Sequence, residues 1–131
     1  MLNRASLAHA QLANTDLHLA FLLDSDLQCT NLMHASLEHA ILRQTNFRGS
    51  DLRYARLDGA DLFGADLSHA DLREASLALT FLRHANLRGA DLSSAHGLTD
   101  VQIVEALGDH DTKLPENVER PASWTMKGNR E

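Results

Sequence analysis

The sequence predicts an all-β solenoid, a chain wound into stacked square coils and closed at its C-terminal end by a capping α-helix and a tail. Three observations predict it. A large apolar residue recurs at every fifth position from Leu2 to Leu92, nineteen times running, with Phe47 the one that is not leucine. From Leu7 onward, Ala, Ser or Thr stands two places before each of these centres, as at Ala5, Thr15, Ser25, Thr30, Ala60 and Ala90. The second place after the centre is glycine at Gly49, Gly59, Gly64 and Gly89, as a tight corner favours.

A period of five suits neither a helix at 3.6 residues per turn nor a strand alternating at 2. On a helix it would spread the leucines around the cylinder and bury none of them together. A backbone that turns a corner every five residues points both the centre and the small residue inward. Four such sides close a coil of twenty residues, and successive coils pair at the strand spacing of about 4.8 Å. The interior then alternates layers of Leu with layers of Ala, Ser or Thr, because four sides converging on a narrow axis leave no room for more. Buried hydroxyls such as those of Thr45 and Thr80 are expected to bond backbone carbonyls of neighbouring coils, which offsets their burial.

Residues 1–95 run as tandem A-(D/N)-L-x-x units, clearest in Ser50 to Ala95, and this resembles the pentapeptide-repeat family. The resemblance implies a right-handed quadrilateral β-helix over residues 1–98. Nineteen units on four sides make just under five coils, a rod roughly 20–25 Å long. In such a rod each coil touches only its neighbours, so the ends need protection. The first repeat begins at Leu2, so the first coil is expected either to fray or to meet a partner.

The phrase breaks at His96-Gly97-Leu98, and T-D-V-Q-I-V-E-A-L-G follows. Thr99 with Gln102 makes a capping box, and Asp100 suits a first helical turn. Val101, Ile103, Val104 and Leu107 supply an apolar side, and Gly108 a stop. The expectation is a capping helix from Thr99 to Leu107, within a segment 99–108 laid across the last coil. Residues 109–131 form a tail partly packed on it, with Leu114 and Trp124 as anchors and the end beyond Met126 disordered. The run from Gly97 through Trp124 resembles the tail (GLTxxQ…ALGD…TKLP…RPxxW) that follows the repeats in proteobacterial members of the family.

The bulk numbers bound the partners. At 131 residues the chain is one domain. A net charge of −6 argues against direct nucleic-acid binding, which needs a basic face to neutralise phosphates. A single cysteine, Cys29, rules out an internal disulfide and suits a reducing cytoplasm. There is no secretory signal pattern, and no apolar run nears the roughly 20 residues of a membrane helix. A cytoplasmic protein is expected.

Stacking units every twenty residues lets the outer columns be written down. The residues before the centres Leu22, Leu42, Leu62 and Leu82 are Phe21, Ile41, Asp61 and Phe81, and those after them are Leu23, Arg43, Phe63 and Arg83. The other sides are mostly polar in the same slots, for example Asp26, Asn46, Asp66 and Asn86. A contiguous apolar stripe calls for a cover. The tail, through Leu114, Val118 and Trp124, folds over it, or it meets a protein partner, self included as a homodimer, or it stands exposed to solvent.

Chemistry is hard to place on this rod. Eight histidines invite a metal, yet His9 stacked against Cys29 supplies two ligands where structural zinc takes four. No CxxC, HExxH or His-x-His spacing exists. Stacked carboxylates such as Asp51, Asp71 and Asp91 run along a convex surface with no pocket to shift a pKa. Asp and Asn in that slot are better placed to bond the local backbone at the corner. No phosphate loop, activated nucleophile or cofactor motif is present, so no enzyme activity, cofactor, metal or small-molecule substrate is expected. The expected role is a non-enzymatic interaction or scaffold module, with Phe21, Leu23, Ile41, Arg43, Phe63, Phe81 and Arg83 as its contact residues. The resemblance implies one alternative, a DNA mimic that binds DNA gyrase and protects it from quinolones. That mechanism needs a long, strongly acidic rod, whereas residues 1–95 hold eleven Asp or Glu against eight Arg.

Overall fold

The computed structural model describes residues 1–125. The chain winds as a right-handed quadrilateral β-helix whose four sides are each held by a parallel ladder with a register of twenty residues. One ladder runs Ser6, Asp26, Asn46, Asp66, Asn86; the next Gln11, Asn31, Asp51, Asp71, Asp91; then Asp16, Ser36, Arg56, Ser76, His96; and last Phe21, Ile41, Asp61, Phe81. Each side contributes a single bridging residue per coil. The bonds repeat coil after coil: Leu52 N–H donates to the Asp71 carbonyl, Tyr54 N–H to Arg73, and Asp71 N–H to Ser50.

The corner is a four-residue turn in which the small residue donates back to the centre, as Ala55 N–H does to the Leu52 carbonyl at 3.1 Å. Such a turn with φ > 0 at its third residue is of type II. Every corner from Arg4 to Gly89 has φ between 55° and 70°. Glycine holds only four of those corners, and residues as large as Leu19, Tyr54 and Leu79 adopt the same left-handed backbone. At most corners the turn bond and two ladder bonds together hold the backbone, which outweighs a strain of about 1 kcal/mol per residue.

Inside, the centres from Leu22 to Leu92 and the small residues between them are buried in one continuous cluster. Thr45 donates to the Leu22 carbonyl of the preceding coil at 2.6 Å, as expected of a buried hydroxyl. Thr80 instead bonds Leu77 in its own turn. At the first coil Leu7, Leu12 and Leu17 are only partly buried against the cluster.

The end piece corrects the sequence reading. The helix is one turn, α1, Asp100–Ile103, not Thr99 to Leu107. Thr99 caps it, its N–H donating to Gln102 Oε1 at 2.8 Å. Leu107, expected in the helix, instead bridges Asn86 in parallel, and Lys113 bridges Asp91. The last repeats leave Leu87 N–H, Leu92 N–H and the Ala85 and Ala90 carbonyls needing partners. Leu107 and Lys113 supply all four, with bonds of 2.7 to 2.9 Å. Satisfying buried backbone outweighs the helical propensity of a short segment. The end is therefore a partial further coil. Ala106 and Thr112 are buried as small residues, and Thr112 Oγ1 donates to the Leu87 carbonyl as Thr45 does to Leu22. Only Ile103 of the expected apolar helix side points inward, while Val101 and Val104 are exposed.

Gly97, at φ +78°, makes the exit from the repeats, and a Cβ there would lie 2.9 Å from the Ala78 backbone nitrogen. Gly108, read from sequence as a helix stop, has a different task. A Cβ on it would fall 2.4 Å from the Trp124 ring, so its bareness lets that ring lie flat on the chain end. Trp124 sits in a short 3-10 turn, Ala122–Trp124, is 2% exposed, and donates Nε1–H to the Ala106 carbonyl at 3.1 Å. Arg120 ties the same end together by donating to the Asp109 and Thr112 carbonyls, both at 2.6 Å. Leu114 is partly buried against the core. The expectation of disorder beyond Met126 lies outside the described residues.

Candidate interaction face

The side that carries the Phe21–Ile41–Asp61–Phe81 ladder presents the apolar stripe. The bridging residue of each side points outward because the centre beside it points inward, the alternation of any extended backbone. Phe21 is 45% exposed and Phe81 62%, with Leu23 exposed and Ile41 and Phe63 half-buried between them. Arg43 donates Nε–H to Asp61 at 2.9 Å, and its guanidinium carbon lies 4.8 Å over the Phe63 ring. Phe63 in turn meets His84 edge-on at 5.3 Å. Arg83 pairs with Glu105 at 2.8 Å. Each cation on the stripe is thus matched by a carboxylate within it.

The described tail does not cover this face. Its large apolar side chains turn to the rod's end, Trp124 onto Gly108 and Ala106, Val118 into the core cluster. The reason is again backbone demand at the last coil, which draws the tail across the end. The stripe also extends beyond the columns written down from sequence. Leu19 and Leu79 stand at corners beside Phe21 and Phe81, and Leu79 is 80% exposed. Val101, 83% exposed, joins Leu79, Phe81, Arg83 and Glu105 around a groove of about 500 Å³. A smaller depression lined by Arg43, Asp61, Phe63, Phe81 and Arg83 continues from it. The signal for the leucines was legible: positions 19, 39, 59 and 79 stack as one column, adjacent to the stripe. Val101 was not legible, because its exposure depends on how short the helix is.

A second side carries the acidic column, and here the charges are compensated. Arg53 reaches Asp51 at 2.7 Å and Asp71 at 3.7 Å, and Arg73 reaches Asp71 at 2.6 Å and Asp91 at 3.8 Å. Each carboxylate also accepts from the backbone N–H two residues on, as Asp71 does from Arg73 and Asp91 from Ser93. The Arg73 side-chain hydrogen bond leads in holding the Asp71 carboxyl below its ordinary 3.8, and Arg53 does the same for Asp51. A lowered carboxyl pKa contributes stability above its unfolded value, lost as pH falls through the folded one. Replacing Asp71 by Asn should therefore lower Tm at pH 7, modestly for so exposed a pair. The deficit should vanish well below pH 3.8. A Tm deficit equal at pH 7 and pH 2.5 would show that the charge contributes nothing.

Among the described residues no three His, Cys, Asp or Glu side chains come together as a metal site, and Cys29 is exposed as a free thiol. No described helix is long and apolar enough to cross a membrane.

Comparison with known proteins agrees with this geometry. The sequence model of the pentapeptide repeats matches in eight copies, over residues 5–44, 30–68 and 65–96. None of the curated proteins matches. Among solved structures, the pentapeptide repeat protein Rfr23 of the cyanobacterium Cyanothece 51142 aligns with TM-score 0.57 and 28% identity, over 75% of this chain and 62% of that one. A trypsin-treated form of QnrB1, a plasmid-mediated fluoroquinolone resistance protein, aligns with TM-score 0.51 and 21% identity, over 89% of this chain and 63% of that one. This chain therefore spans less than two thirds of either structure's length. Five-residue sides, left-handed corners, a twenty-residue register and repeats matched across residues 5–96 place the chain in the pentapeptide repeat family.

Proposed function

We propose that this protein is a non-enzymatic interaction module, acting in the cytoplasm, whose working surface is the apolar stripe from Phe21 to Phe81. The observation that carries the reading is Leu79, a leucine held at φ +60° with 80% of its surface exposed, next to exposed Phe81 and Val101. Left-handed backbone disfavours leucine, and exposure denies it core packing, so the fold alone gives it no use there. Flat sides of stacked coils offer no enclosed, dry site for chemistry. The DNA-mimic alternative needs uncompensated acidic columns, and Arg53 and Arg73 each bridge two of the carboxylates that would form one.

The test is a photo-cross-linking residue placed at Phe63, compared with one at exposed Ser93 on the acidic side, in the full-length protein in cell extract. Protein adducts, self or other, should form several-fold more at position 63. They should disappear in the Phe21→Asp, Ile41→Asp double variant, whose circular dichroism is unchanged. Equal yields from the two positions, or yields untouched by the double variant, would overturn the reading.

A further inference from the structure

We propose that the occupant of the stripe is a second copy of this chain, docked face to face about a two-fold axis that passes between the coils of Ile41 and Asp61. The inference rests on the reading of the stripe as an interaction face and names its partner. Its ground is that the stripe reads nearly the same from either end. The first coil presents Leu19, Phe21 and Leu23, and the fourth Leu79, Phe81 and Arg83. Phe21 and Phe81 stand on one ladder, three registers apart, which is about 14 Å along the rod.

A two-fold axis lying in the interface, across the rods, reverses the rod direction and keeps the order along each side. Phe21 of one copy then lies on Phe81 of the other, and Leu19 lies on Leu79, each contact made twice. A two-fold interface needs one patch complementary to itself, and matching aromatic ends supply that. An unrelated ligand would call for no such end-to-end match.

Charge favours the same occupant. Copies carrying a net charge of −6 repel each other. The stripe escapes this, because its Arg43 and Arg83 are already bridged to Asp61 and Glu105. It is a neutral, apolar face on an acidic molecule. Four coils of one side make a contact at the small end of the range for specific interfaces, so association should depend on concentration.

The test is solution mass by sedimentation or light scattering, from micromolar to millimolar protein. The full-length chain should rise from 14.4 kDa toward twice that mass. Phe81→Asp and Phe21→Arg should each weaken the dimer by about tenfold or more. The double variant Phe21→Arg, Phe81→Asp should recover most of the loss, because both contacts become Arg–Asp pairs across the axis. Both side chains are exposed, so circular dichroism should be unchanged throughout.

A chain monomeric to millimolar concentration overturns the proposal. So does a dimer that neither single variant weakens, or one that the double variant fails to restore. A monomer in isolation that still forms stripe-specific adducts with other proteins in extract defeats the second copy and leaves the interaction-module reading standing. Adducts with no preference for the stripe defeat that reading itself.

Discussion

Deletion of residues 99–131 is expected to make the chain aggregate, the largest effect foreseen here. The deletion strips acceptors from His84, Leu87 and Leu92 N–H, which donate to the Glu105, Leu107 and Lys113 carbonyls. It also leaves the Ala85 and Ala90 carbonyls without the N–H groups of Leu107 and Lys113. What remains is an open parallel edge, ready to pair with any other edge. The loss of Ile103, Val118 and Trp124, all buried, uncovers the last leucine layer as well. At about 1.5–3 kcal/mol for each large apolar side chain buried, the change is comparable with a small domain's whole stability of about 5–15 kcal/mol. Light scattering at low micromolar concentration should show particles far above monomer mass. A truncated chain that stays soluble at its expected mass would show that the end piece is not a cap.

Within that cap, Trp124→Ala should cost about 3–5 kcal/mol, the range for emptying a buried aromatic site. The ring lies on Gly108, where a methyl group would already collide, and its Nε1–H is the donor to the Ala106 carbonyl. Truncation removes the ring contact and that hydrogen bond together. In a solenoid the damage stays local until the neighbouring coil opens. Amide exchange should therefore rise first at Leu107 and Lys113, before the central coils around Leu57. Trp124→Phe separates the terms: it keeps most of the apolar area and should lose about 0.5–1.5 kcal/mol for the missing hydrogen bond. Unchanged exchange at Leu107 in Trp124→Ala would mean that the ring is not what holds the end coil.

The two variants probe the part of the molecule where sequence reasoning met its limit. Thr99 and Gln102 form the capping box that their spacing announced, yet Gln102 also donates from Nε2 to the Leu77 and Thr80 carbonyls of the coil below. Those contacts were invisible, because they depend on where the one-turn helix sits on the rod. The shift of Leu107 from helix to ladder has the same cause. Its local signal was helical, and the competing signal was a set of unpaired backbone groups twenty-one residues earlier in the chain. On the stripe the columns themselves were legible, since a fixed register makes neighbours of residues twenty apart. The ion pairs that neutralise it were not, because they depend on side-chain rotamers and on the delivery of Glu105 to Arg83 by the segment after the one-turn helix.

The sequence by itself determined the coil: its four sides, its twenty-residue register, its layers of leucine over small residues, and the column in which each outward residue stands. It could do so because the same five-residue environment recurs nineteen times, so every unit repeats the same local constraint. Tertiary structure decided what happens where repetition stops. The helix shrank to one turn, residues 104–113 became part of a further coil, Trp124 settled on Gly108, and the stripe stayed free of the described tail. At the end of a rod the last coil has backbone groups still to pair and a leucine layer still to cover, and that non-local demand overrides a short segment's own propensity.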